Sequence, residues 1–227
     1  MLKIIIGNKA YSSWSLRGWL AVKQSGLPYE EVVLPMYDDA WPERKRQPDL
    51  AISSGKVPTL WNDDTPVWDS IAIVDYLNDI TGGTRFWPQD LAARAFARSI
   101  AAEMHSGFVP LRKACPMNVR KVFPAQSPSA AVQENVDRIT ALWTDARSRF
   151  GKGGDFLFGA FGAADIMFAP VVFRFTGYQL PSSGAARDYI DAMVAHPWMR
   201  QWVDEAQKEE WVLDQYEHGL CCKNREA

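Results

Sequence analysis

The sequence predicts a small α/β domain followed by a larger all-helical one. Three observations carry that expectation. In the first stretch of about 80 residues, short apolar runs suited to strands alternate with segments of helical periodicity. From about Asp90 onward no run with strand character recurs, and apolar residues return at spacings of three and four. Between the two halves, Thr81-Gly82-Gly83-Thr84-Arg85 carries no periodicity and reads as a linker. The predicted domains are residues 1–81 and 90–220.

The elements follow in chain order. Leu2 to Ile6 is an apolar run suited to a buried strand. Ser13 is placed to cap a helix with Leu16, Trp19 and Leu20 on its apolar face, and Gly26-Leu27-Pro28 ends it. Tyr29 to Leu34 is the next strand. Strand, helix and strand in that order predict a parallel pair with a right-handed crossover. Tyr37 to Ser54 is polar, punctuated by proline, and has room for one irregular helix. Thr59-Leu60-Trp61 and Pro66-Val67-Trp68 are joined by Asn62-Asp63-Asp64-Thr65, a connection that makes a hairpin. Asp69-Ser70 then caps a helix with Ile71, Val74 and Leu77 on one face. The sum is a β-α-β-(α)-β-β-α unit around a four-stranded mixed sheet.

In the second half, a helix from about Asp90 carries Ala93, Phe96, Ile100 and Met104 and loses definition near Gly107 and Pro110. Another, from Ser129 to Phe150, repeats Val132, Val136, Ile139, Trp143, Ala146 and Phe150 before Gly151-Lys152-Gly153-Gly154 stops it. Ala163 to Phe175 is apolar nearly all round, which places it at the centre of a bundle. Further helices are expected around Ala185 to Ala195 and Pro197 to Glu209, and the tail after Leu220 reads as loose.

Composition narrows the function classes. With 25 basic against 27 acidic residues, interspersed, no global field favours nucleic acid or an anionic membrane. The apolar stretch Ala163 to Phe173 is far short of the roughly 20 residues a membrane span needs, and the first residues read as a strand rather than a signal peptide. A cytoplasmic location is the expectation. Cys115, Cys221 and Cys222 make no disulfide framework, and with scattered His105, His196 and His218 they make no spaced metal site. No metal cofactor is expected. The ten tryptophans sit mostly among apolar residues and read as core rather than ligand platform.

Three motifs carry chemistry. In Gly55-Lys56-Val57-Pro58-Thr59-Leu60, a proline opens a strand before a hairpin. A cis Val57-Pro58 bond would turn the Val57 N–H and C=O outward to pair with an extended peptide; the plain alternative is an edge strand that starts with proline. Asp69-Ser70 opens a helix, where free N–H groups hold an anion and Asp69 partners an ammonium; the plain alternative is an ordinary N-cap. Tyr11-Ser12-Ser13-Trp14-Ser15 lies between the first strand and first helix. A hydroxyl there can stabilise a thiolate, or simply cap the helix.

With Ser12-Ser13-Trp14-Ser15-Leu16-Arg17, Lys56-Val57-Pro58-Thr59-Leu60, Asp69-Ser70-Ile71-Ala72-Ile73 and Phe161-Gly162-Ala163-Ala164-Asp165-Ile166, the chain resembles the cytosolic glutathione transferases over essentially all its length. The likeness is to bacterial, serine-type members with a zeta-like N-terminal motif. It implies a thioredoxin-like first domain, an all-helical second domain, a homodimer, and reduced glutathione as cosubstrate of a small hydrophobic electrophile. It implies Ser12 as the thiol activator, with Ser13 next and Tyr11 third. Lys56, Val57, Pro58, Asp69 and Ser70 would bind glutathione: Val57 at the cysteinyl part, Asp69 and Ser70 at the γ-glutamyl end, Lys56 at the glycyl carboxylate.

Trp14 stands where the zeta pattern has cysteine, which weighs against zeta-type isomerase chemistry. The alternatives to a transferase are a glutathione-dependent cis-trans isomerase of the maleylacetoacetate type and a non-catalytic ligand-binding protein. Tyr11, Trp14, His105 and Arg112 are candidates for the second-substrate pocket, with Ser106, Asn118 and Arg120 behind them; a core histidine is the plain reading of His105. Gly162 and Asp165 are expected to be structural, as an N-capping pair. Arg17 is expected as a buried ion-pair partner, and Cys115 as a packed thiol.

Overall fold

Two strands at the start of the chain run side by side: β1 (Leu2–Gly7) pairs in parallel with β2 (Tyr29–Leu34), Leu2 opposite Tyr29 and Gly7 opposite Leu34. A computed structural model describes residues 1–218, so the tail after Leu220, with Cys221 and Cys222, lies outside the described residues. β3 (Thr59–Asn62) pairs antiparallel with β1 and β4 (Thr65–Trp68) antiparallel with β3, so the sheet order is β2-β1-β3-β4. β1 is central. Ile4 and Ile6 join the main core while Ile5 between them does not, the period-two alternation of a strand, and all three are inaccessible.

Helix α1 (Ser13–Ser25) crosses between β1 and β2, and α4 (Ser70–Ile80) packs against it. The residue that caps α1 is Ser12, not Ser13: the Ser12 Oγ accepts from the Ser15 N–H at 3.2 Å. The stretch expected to hold one irregular helix holds two single turns, α2 (Trp41–Arg44) and α3 (Pro48–Ala51), because Pro42 and Pro48 each start a turn that nothing continues.

The helical half comprises α5 (Leu91–Ser106), α6 (Val109–Ala114), α7 (Ala130–Phe150), α8 (Ala163–Gly177), α9 (Gly184–Ala195) and α10 (Pro197–Ala206). Definition is not lost at Gly107; α5 ends there, Phe108 turns into the left-handed region, and α6 begins anew with Pro110 in its first turn. α10 stops at Ala206, short of the expected Glu209. Beyond the sheet, the described residues add only isolated bridges, Phe156 with Gly159 and Phe158 with Ala160.

α8 sits at the centre, packed on α1, α5 and α9, and nearly all of it is buried. It joins the two halves, and that position is why its sequence is apolar all round. Trp143 of α7 packs its ring against Phe168 and Phe175 of α8 and Tyr189 of α9. Trp19, Trp143 and Trp202 are fully buried, as core tryptophans should be.

After α10 the chain returns to the loop that follows β1. The Glu209 carboxylate accepts from the backbone N–H of Lys9 (2.7 Å) and of Ala10 (3.1 Å). Trp202 donates to the Lys9 carbonyl at 2.9 Å, and the Lys9 ammonium pairs with Glu31 and Glu205. Tyr11 stacks on Tyr216 with ring centroids 5.4 Å apart.

Candidate active site

Strand directions bring the three motifs together. β1 ends at Gly7, β3 begins at Thr59 beside Ile5, and β4 ends at Trp68 beside Thr59. The 8–13 loop, Val57-Pro58 and Asp69-Ser70 therefore share one end of the sheet. Their closeness is visible at Gly18 of α1, where a Cβ would stand 2.6 Å from Pro58 Cβ. Only a residue without a side chain lets α1 lie on that turn.

Ser12 and Ser15 form a small buried network. The Ser12 hydroxyl donates to the Ser15 Oγ at 2.8 Å, and the Ser15 Oγ also accepts from the Gly7 N–H at 2.9 Å. Ser15 is inaccessible and Ser12 is 7% exposed. Ser13 is half-buried, and its hydroxyl has no hydrogen-bond partner among the described residues. The Tyr11 hydroxyl is engaged elsewhere, donating to Glu217 Oε1 at 2.5 Å and accepting from the Leu213 N–H at 3.4 Å. Burial and then the Glu217 carboxylate push its pKa up to about 12.

The peptide bond between Val57 and Pro58 is cis. Ser53 and Thr59 hydroxyls both donate to the Lys56 carbonyl, at 2.8 and 2.9 Å, and so hold the turn. Neither the N–H nor the C=O of Val57 makes a hydrogen bond among the described residues. The Lys56 side chain is exposed and forms no ion pair among them. Asp69 caps α4 by accepting from Ile71 N–H at 3.1 Å, at a backbone φ of 70° that a β-carbon makes unfavourable. Ser70 is 1% exposed, and its Oγ has no partner.

His105, from α5, reaches across to this corner. Its Nε2 lies 3.4 Å from Asp69 Oδ2, and its ring meets Trp14 edge-on at 5.3 Å. Two guanidinium groups lie against the Trp14 ring, Arg17 Cζ at 4.6 Å and Arg112 Cζ at 4.8 Å from its centroid. The four second-substrate candidates divide. Trp14, His105 and Arg112 are in contact in one cluster, whereas Tyr11 faces the returning C-terminal segment. Ser106 bonds back to the Ala102 carbonyl and stays exposed, while Asn118 and Arg120 also serve that segment, at Tyr216 and Glu209.

Arg17 departs from expectation. It is buried, but no carboxylate among the described residues pairs with it; its Nε donates to the Met167 carbonyl at 3.0 Å. No local pattern in the sequence marks Arg174, Glu209 or Glu217 as part of this corner. One signal is legible: Arg174 is the only basic residue of α8, a helix that is apolar on nearly every side. At the start of α8, Asp165 Oδ2 accepts from the Gly162 N–H at 2.9 Å and Oδ1 from the Leu157 N–H at 3.1 Å.

A sheet of this order carrying a cis-proline turn, joined to a helical bundle through α8, defines a thioredoxin-like domain fused to an all-α domain. Residues 11–80 match the family model for the glutathione S-transferase N-terminal domain, and residues 129–205 the model for its C-terminal domain. The chain belongs to the glutathione S-transferase family. A probable maleylacetoacetate isomerase of Caenorhabditis elegans is 27% identical over 175 residues, covering 75% of this chain and 77% of the relative. Protein IN2-1 of Zea mays is 26% identical over 201 residues, covering 87% and 74%. The fold is shared with a glutathione transferase homolog from Burkholderia, solved with bound glutathione: TM-score 0.66, 21% identity, 92% of this chain and 99% of that one.

Proposed function

We propose that this chain is a glutathione-dependent transferase in which Ser12 activates the thiol for attack on an electrophilic carbon. The observation that carries the reading is the row of unsatisfied groups at one end of the sheet: the Val57 N–H and C=O and the buried Ser70 hydroxyl. A buried hydroxyl normally finds a partner, so the open Ser70 Oγ, at the same end of the sheet as the unpaired Val57 backbone, suits a ligand with matching groups. A peptide extended along Val57, with an α-amino-acid end at Asp69 and Ser70 and a far carboxylate near Lys56, meets that description. The relative from Burkholderia that shares the fold holds glutathione, which supports the same ligand here.

In this reading residues 1–81 hold glutathione and residues 90–220 supply the wall for the second substrate. The Ser12 hydroxyl turns from Ser15 to the glutathione sulfur and donates to it. A hydrogen bond to the charged form lowers the thiol pKa from the ordinary value of about 8.5, so thiolate forms near neutral pH without serine acting as a base. The new S–C bond forms as the leaving group departs, or as the thiolate adds to an activated double bond. Tyr11, with its hydroxyl held by Glu217, is the weakest of the three hydroxyl candidates.

A second reading draws on the probable maleylacetoacetate isomerase of Caenorhabditis elegans and on the maleylacetoacetate isomerase of Rattus norvegicus, the latter 32% identical over 100 residues, 44% of this chain and 45% of that one. There the thiolate adds to a cis-enone, the former double bond rotates, and elimination returns glutathione. Following free thiol during turnover separates the two: stoichiometric loss marks transfer, constant thiol marks isomerisation. The test of the shared step is thiolate absorbance across pH with wild type, Ser12→Ala and Ser13→Ala. Bound glutathione that ionises like free glutathione in the wild type would sink the proposal.

A further inference from the structure

The loop that carries Ser12 is fixed at its root by the first domain and along its length by the helical half. At the root, Asn8 Oδ1 accepts from the Met36 N–H at 2.7 Å. The Asn8 carbonyl accepts from the Tyr11 and Ser12 N–H groups at 3.2 and 2.9 Å, which winds residues 8–12 into one turn leading into α1. The middle of that turn is Lys9 and Ala10. Their N–H groups donate to the two oxygens of the Glu209 carboxylate, Lys9 to Oε1 at 2.7 Å and Ala10 to Oε2 at 3.1 Å. Their carbonyls accept from Trp202 Nε1 of α10 at 2.9 Å and from the Val119 N–H at 3.1 Å. Among the described residues, the backbone polar groups of these two buried positions pair only with the helical half.

Glu209 is the centre of this contact. With one oxygen on each N–H, it fixes two successive peptide units in orientation as well as in place. Arg120 Nη2, 3.4 Å from Oε2, steadies the carboxylate in turn. Hydrogen bonds to a carboxylate are shorter and stronger than those between neutral groups. The turn transmits the grip: Tyr11 and Ser12 hang on the Asn8 carbonyl, so a shift of Lys9 and Ala10 shifts them too. A hydroxyl that must reach a sulfur held elsewhere is sensitive to such a shift, because a hydrogen bond weakens steeply as its angle departs from linear.

We infer that Glu209 is a positioning residue for thiol activation: by gripping the Lys9 and Ala10 amides it sets where the Ser12 hydroxyl points. The inference rests on the reading in which Ser12 activates glutathione. Two properties of the site then part company. Glutathione is held at Val57, Asp69, Ser70 and Lys56, none of them a hydrogen-bond partner of Glu209, so its affinity should not depend on the grip. The ionisation of its thiol should. The direction of the shift tells positioning from a plain field effect. Removing a nearby negative charge lowers a thiol pKa, since the thiolate is repelled less, whereas losing the hydrogen bond from Ser12 raises it.

Thiolate absorbance of bound glutathione is followed across pH for the full chain, Ser12→Ala, Glu209→Ala, Glu209→Gln and the Ser12→Ala/Glu209→Ala pair. The affinity of S-methylglutathione is measured by calorimetry alongside. Glu209→Ala should raise the bound thiol pKa by about half or more of the shift that Ser12→Ala causes, with S-methylglutathione affinity within about twofold of wild type. Glu209→Gln keeps one acceptor oxygen for the two amides. It should raise the pKa by less, and it carries the test if Glu209→Ala does not fold. Once Ser12→Ala has removed the hydroxyl, Glu209→Ala should add no further rise, because nothing is left to aim. A thiol pKa that stays put or falls in every Glu209 variant that folds, or that rises equally with and without the Ser12 hydroxyl, overturns the inference and leaves the glutathione reading intact. Failure of S-methylglutathione to bind, or a Ser12→Ala variant whose bound thiol ionises like that of wild type, overturns both.

Discussion

Ser12 and Ser15 exchange hydrogen bonds within one helical turn, and the O–H between them can point either way. As drawn, Ser12 donates to Ser15, whose own proton has no acceptor among the described residues. When Ser12 turns its proton to a sulfur, Ser15 can donate to the Ser12 oxygen over the same 2.8 Å and keep the pair joined. A donor that itself accepts a hydrogen bond is a stronger donor. Ser12→Ala should therefore raise the bound thiol pKa by about one to two units. Ser15→Ala should raise it by less, and Ser13→Ala least of all. Thiolate absorbance against pH reads all three, and a larger effect at Ser13 than at Ser12 would move the activating role to Ser13.

At the scale of elements, the site depends on how closely α1 and α8 are seated. Gly18→Ala places a Cβ 2.6 Å from Pro58 and must push the Val57-Pro58 turn away from α1. The KM for glutathione should rise about tenfold, the order that small displacements of positioning groups produce; an unchanged KM would show that the turn does not register on α1. Asp165 anchors the start of α8 with two backbone bonds, so Asp165→Ala should lower the unfolding free energy by about 2–4 kcal/mol, read by denaturant titration.

Its pH dependence has a definite sign. Burial raises the Asp165 pKa from 3.8 to about 6, against the backbone bonds that lower it. The folded state then holds this proton more tightly than the unfolded one. The stabilising effect of that proton is full below 3.8 and is lost as pH rises through about 6. Between those values, wild type should lose stability relative to Asp165→Asn; parallel curves for the two proteins would contradict it.

Across the whole molecule, what the sequence made legible was local. Strand alternation in Leu2 to Ile6, the hairpin at Asn62 to Thr65, and the stripe from Val132 to Phe150 each depend on a few neighbouring residues. The cap of α1 was misplaced by one residue because Ser12 and Ser13 are equally good capping types and only backbone geometry separates them. The fate of Arg17, the meeting of His105 with Asp69, and the role of Glu209 depend on how α5, α8 and α10 come to rest against the first domain. No short-range pattern encodes that. Glu209→Ala should leave the Lys9 and Ala10 N–H groups without partners at a cost of about 1–3 kcal/mol. Faster hydrogen exchange at those two amides would report it, and unchanged protection would show that they are held by something else.

That return contact also sets a timetable. Lys9 waits for a partner 200 residues further along the chain. At synthesis rates of about 5–20 residues per second, the loop beside Ser12 leaves the ribosome roughly 10–40 seconds before Glu209. During that interval β1, β2 and α1 can pair, because everything they need has already been made. The loop bearing the serines cannot be completed in the same interval. A nascent chain can thus own a finished sheet while the loop that carries Ser12 still lacks the two hydrogen bonds that Glu209 supplies.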